Sequence, residues 1–135
     1  MATYKVAADY TTANILTFQG VPGLLAPVVA NTLYEIDVLI RFKMTNGYGA
    51  YFTIIYPIGA KLVAFYHVVG VNYNLMGSFN ASNLPVLYIT NDALIYLKGF
   101  VIPSPSAGNI LFQIKKIQSG AITIFKGSRM IITAL

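Results

Sequence analysis

The side chains able to do chemistry are few. The 135 residues hold one histidine, four acids, nine lysines or arginines and no cysteine. His67 lies inside the apolar run AFYHVVG, where a lone histidine reads as a satisfied interior or interface residue. Zinc needs about three or four N, S or O ligands, and calcium needs clustered oxygens. One His, no Cys and the dispersed acids Asp9, Glu35, Asp37 and Asp92 supply neither set. Only Glu35 and Asp37 stand close. Two residues apart on a strand, they share one face at about 7 Å, a separation that paired-carboxylate hydrolysis can use. Arg41 falls on the same face, which makes a salt-bridge strip the simpler reading. No Gly-x-Ser-x-Gly elbow, P-loop or dinucleotide fingerprint is present. The chain reads as non-enzymatic, with no catalytic residue, metal or cofactor expected.

Binding chemistry is better represented. Nine bases against four acids give a net charge of +5 and a pI near 9.5. The bases are scattered, however, and only Lys115 and Lys116 are adjacent. Lysines spread over edge strands block sheet-to-sheet aggregation, so nucleic acid is not the expected partner. The alternative is an OB-like module that stacks single-stranded nucleic acid on aromatics beside lysines. Lys115 and Lys116 are its candidate basic contacts. The chain also holds ten tyrosines and eight phenylalanines. Tyrosine brings large area, little entropy and one polar tip to protein and carbohydrate contacts. Asn46, Tyr48, Tyr51, Tyr73 and Phe79, in or near expected turns, are the candidate outward contacts.

Strands must position these groups. Residues 33–42, LYEIDVLIRF, alternate cleanly. Tyr34, Ile36, Val38, Ile40 and Phe42 face one way, and Leu33, Glu35, Asp37, Leu39 and Arg41 the other. Asn46-Gly47 then suits a tight hairpin. Residues 51–56 form the next strand, and residues 61–69, KLVAFYHVV, a third that is apolar on both faces. Residues 70–74 extend it after a bend, and residues 76–83, rich in Gly, Ser and Asn, read as a loop. Strands follow at 85–90, 94–102, 110–118, 121–125 and 129–135. Gly99 marks a bulge or a close backbone approach within the second of these. About eight short strands with short connections argue an all-β sandwich or barrel. Residues 1–28, with Gly20, Pro22, Gly23 and Pro27, read equally as an extended N-terminal arm packed on a neighbouring subunit or as an edge strand plus loop. Residues 29–135 form the sandwich domain.

Composition points to assembly. Charged residues are 10% of the chain and apolar ones 56%, against about 25% charge in an ordinary soluble domain. So few charges cannot rim off the apolar patches that make monomers stick, and much of the surface is expected to be buried against other chains. The charge-free stretches 10–34 and 62–91 are interrupted by Asn, Gly and Pro, and neither approaches the roughly 18 apolar residues of a spanning helix. Membrane insertion is not expected. The opening MATYKVAADYTTAN lacks the features of a signal peptide, so synthesis in the cytoplasm is the expectation.

Three places carry a resemblance. Ala30-Asn31-Thr32-Leu33-Tyr34-Glu35 is the first. Gly99-Phe100-Val101 followed by Ala107-Gly108-Asn109-Ile110-Leu111-Phe112-Gln113 is the second. The third is Ala121-Ile122-Thr123-Ile124-Phe125-Lys126-Gly127-Ser128, leading into Met130-Ile131-Ile132. From Ala30 onward the chain resembles a domain of tailed-phage virion proteins, found in head fibres, decoration proteins and tail fibres. It departs from that pattern at Lys115-Lys116 and in residues 70–85. The resemblance implies a jelly-roll-like β-sandwich, a homotrimer and a place on the virion after synthesis in the host cytoplasm. Implied partners are further copies of the chain and a capsid or tail lattice. On that reading residues 1–28 anchor, and the loops at 46–48 and 77–83 face outward. A tail-tip module that binds a host-surface glycan is the alternative role.

Overall fold

The structure is a computed structural model that describes residues 1–13, 17–44, 49–70, 73–79, 84–86, 92–116 and 120–135. These fold into antiparallel strands in two facing sheets, and no helix is present among them. The smaller sheet has the order β3 (Gln19–Val28), β10 (Gly108–Lys116), β5 (Ala50–Ile55), β8 (Leu84–Val86). In the larger sheet β4 (Tyr34–Met44), β9 (Ala93–Ile102), β6 (Lys61–Gly70) and β7 (Tyr73–Phe79) lie side by side. From β3 to β10 the chain crosses between sheets at every connection except β6 to β7. That is the double Greek key of a jelly roll. The other edge of β4 is covered by β12 (Arg129–Ala134) and then β11 (Ala121–Ile124), and these in turn by β1 (Ala2–Lys5) and β2 (Tyr10–Ala13). Where β11 gives way to β12, the Ser128 hydroxyl replaces a ladder partner by accepting from Arg41 N at 3.0 Å.

Alternation builds the core. The Tyr34-to-Phe42 face of β4 points inward, as its sequence pattern requires, and meets Phe52, Ile54, Ile110, Phe112 and Ile114 of the smaller sheet. Phe42 crosses the gap to Phe52 edge-on at 5.0 Å between centroids, and Phe52 lies 5.9 Å from Phe112. Such aromatic contacts contribute about 0.5–1.5 kcal/mol beyond area burial. At one end the buried Ser104 joins three connections. Its hydroxyl donates to Ile58 O at 2.5 Å and accepts from Ser106 N at 3.0 Å, while its carbonyl accepts from Asn31 N at 2.7 Å.

Within residues 1–28, read as an arm or an edge strand, the described residues supply edge strands β1, β2 and β3 to the two sheets and place Val6, Val21, Leu24, Ala26 and Val28 in the core. Pro22 and Pro27 fit in β3 because an edge strand has one unpaired side. Gly23 takes φ 90° where β3 bulges, and a side chain there would strike the Lys5 carbonyl.

Several expectations are corrected. The eight jelly-roll strands are joined by four more along one edge. Strands β4 and β5 do not pair as a hairpin: they lie in opposite sheets, since each must bury its own aromatic face. Of the expected extension at 70–74, Gly70 ends β6, residues 71–72 lie outside the described residues, and Tyr73 and Asn74 open the antiparallel strand β7, with Tyr73 pairing to Gly70. Residues 76–79 are not a loop but the second half of β7, where Gly77 leaves the space that the Tyr66 hydroxyl fills, 2.9 Å from the position of a Cβ. At Gly99 no register shift occurs, so of the two readings the close approach holds: a Cβ there would stand 2.5 Å from Ala64 Cα and collide with the Val63 carbonyl. The OB-like alternative falls with the topology, because an OB-fold is a five-stranded barrel and this chain is a two-sheet sandwich.

Candidate interaction surface

The outward face of the larger sheet is the one surface where composition, topology and exposure converge. Strand registers set its rows. Across β7, β6, β9 and β4, Ser78, Phe65, Lys98 and Asp37 stand in one row, and Met76, His67, Tyr96 and Leu39 in the next. Outside these lie Val63, Phe100 and Glu35 on one side, and Asn74, Val69, Leu94 and Arg41 on the other.

The face divides by chemistry. Its β4–β12–β1 half carries Glu35, Asp37, Arg41, Arg129 and Lys5. Its β9–β6–β7 half exposes Val63, Phe65, Val69, Met76, Leu94, Tyr96 and Phe100. Phe65 is 72% exposed and Met76 66%, values that a lone sandwich would leave facing water. An open groove of about 500 Å³ runs between the two central rows, walled by Phe65, His67, Met76 and Tyr96. Some polar groups in this half have partners. His67 Nε2 lies 2.6 Å from Asn74 Oδ1, and Lys98 Nζ leans to Glu35 at 4.0 Å, toward the charged half.

Of the salt-bridge strip expected on β4, Glu35 meets Lys98 of β9, and Arg41 meets Asp92 just before β9. Arg41 pairs with Asp92 at 2.5 Å and stacks 4.3 Å over Phe125, rather than bridging to Asp37 along its own strand. Among the described residues no three His, Asp or Glu side chains gather as metal ligands.

The other candidate residues scatter. Tyr51 and Lys115 lie on the outward face of the smaller sheet, half-buried, with Lys115 Nζ 5.2 Å above the Tyr51 ring and 4.9 Å above Phe18. Lys116 is not an outward basic contact. It is 1% exposed, on the core face of β10, and donates to Met44 Sδ at 3.8 Å. Desolvation there pushes its ammonium pKa down from 10.5. The alternation Ile110, Phe112, Ile114, Lys116 was the available signal, since period two puts Lys116 on the core face. Tyr73 and Phe79 begin and end β7, and their side chains lie outside the described residues, as do Asn46 and Tyr48 altogether. The apolar half-face itself was signalled by KLVAFYHVV, apolar on both sides, but only the sheet order shows which strands share it.

No family model and no curated protein matches the chain. A solved structure of infectious bursal disease virus Gt strain is similar over 97% of this chain and 36% of that one, at 14% identity and TM-score 0.28. A second, of the Gx strain, covers 98% of this chain and 35% of that one, at 10% identity and TM-score 0.24. The chain thus spans about a third of the length of the structures it matches, and TM-scores this low carry no weight on what it does.

Proposed function

We propose that the chain is a non-enzymatic structural protein of a bacteriophage virion, of the capsid-decoration or head-fibre type, which works as a homotrimer. The observation that carries the self-assembly is the apolar β9–β6–β7 half-face: a contiguous exposed surface of this kind marks an interaction site. Its virion setting rests on the sequence resemblance. The three resembling segments are the lead into β4, the end of β9 with most of β10, and β11 with the start of β12.

The surface has room for a trimer. The chain alone exposes 6825 Å². Two neighbours in a ring, each covering about 800 Å² in standard contacts, leave most of that area free. A docking face for a capsid or tail lattice fits within the remainder.

The test is to purify particles from the source and quantify the chain by mass spectrometry against the major shell protein. The reading expects the chain in washed particles, in copy numbers divisible by three. Its absence from intact particles overturns the virion role. Recovery on detached tails alone overturns the head assignment in favour of a tail-tip module.

A further inference from the structure

Each sheet of a sandwich has edges, and unpaired edges invite strands from other chains unless they are guarded by shortness, proline, lysine or a bulge. Three of the four edges here are guarded. β8 is three residues long and contains Pro85. β3 carries Pro22 and Pro27 and a register shift against β10. β1 and β2 are four residues each, the first ending in Lys5, the second preceded by Asp9.

The fourth edge, β7, has none of these devices. Its seven residues, YNLMGSF, hold no charge and no proline, and they pair with β6 without a register shift. Among the described residues nothing pairs with its outer side. Asn74, Met76 and Ser78 point outward, exposed, while Leu75 and Gly77 are half-buried on the inner face.

We infer that β7 is the edge through which the sandwich pairs with a second copy of itself, antiparallel about a two-fold axis at Met76. Full overlap of a seven-residue strand with its own copy centres on its middle residue, which is Met76. That register sets Met76 against Met76, Asn74 against Ser78, and Leu75 against Gly77. Polar side chains then meet polar ones. The large Leu75 meets a glycine whose missing side chain leaves Tyr66 as the packing surface. No charge is buried.

One strand pair covers less than the roughly 800 Å² per partner of a standard interface. The contact therefore operates between trimers, where several such pairs act together. The inference rests on the self-assembly reading for its occupant and concerns the backbone edge of β7, which borders the apolar half-face that also holds Met76. The antiparallel preference of the mixed Asn74 and Ser78 variants is therefore the readout specific to the edge.

The test uses the natural absence of cysteine. Single variants Met76→Cys, Asn74→Cys and Ser78→Cys are compared with Ser106→Cys, an exposed control in the β9–β10 connection. Facing Cα atoms in antiparallel pairs lie about 4.5–5.5 Å apart, within disulfide reach. Under mild oxidation Met76→Cys is expected to form linked pairs at least tenfold faster than the control. Asn74→Cys mixed with Ser78→Cys is expected to link more than either variant alone. Rates equal to the control, or no preference for the mixed pair, overturn the inference. A trimer in solution whose Met76→Cys form stays unlinked defeats the β7 contact and leaves the trimer standing. A monomer that links through Met76→Cys does the reverse.

Discussion

Lys116 is the residue whose environment most departs from its type. A lysine between two sheets loses hydration, so its charged form is disfavoured and its pKa falls below 10.5. The unfolded chain then binds more protons than the folded one between the lowered pKa and 10.5, and stability must rise with pH across that window. The slope from one such group reaches at most about 1.4 kcal/mol per pH unit. In Lys116→Met, which keeps the length and drops the charge, this rise is expected to vanish. Urea unfolding of both proteins at matched concentrations from neutral to alkaline pH checks it. Equal slopes in the two contradict the account. The burial was legible in the alternation of β10, yet adjacent Lys115 and Lys116 read as a charge pair until the strand's two faces were separated. Nothing local to His67 or Asn74 announced their contact, because the bond depends on β7 turning back along β6.

At the scale of elements, Gly99 fixes how closely β9 and β6 approach. A methyl group there would meet the Val63 carbonyl and Ala64 Cα, both backbone, which cannot rotate aside. Gly99→Ala is expected to cost about 1–3 kcal/mol, the range for overpacked interiors, read as a lower urea midpoint at unchanged slope. A neutral substitution contradicts the packing described for that strand pair. The approach was signalled by a glycine inside an apolar run. The long strand β4 was legible over most of its length: the alternation read at 33–42 continues through Met44, beyond the span expected from sequence. β7 was not, because glycine, serine and asparagine carry the local signal of a loop, and only pairing with β6 and the cover of Tyr66 make that segment a strand. The Asn46-Gly47 signal misled for a related reason: a turn motif does not say whether the strands it joins share a sheet.

For the whole molecule, scarcity of charge is also a matter of place. Glu35, Asp37, Arg41, Arg129 and Lys5 gather on one half of the outward face of the larger sheet, and the other half is largely apolar, with Lys61 and Lys98 as its charges. Composition alone implied hidden surface, but its position needed the strand order β9-β6-β7, which pairs residues far apart in sequence. Covering Phe65 or Phe100 contributes at most about 1.5–3 kcal/mol each, so micromolar association, about 8 kcal/mol, draws on the whole apolar half-face and not on two or three side chains. The most direct measurement is the mass of the purified chain by size-exclusion chromatography with light scattering at micromolar concentration. The account predicts a particle of about 44 kDa, three chains of 14.7 kDa. A stable species of 14.7 kDa would contradict it.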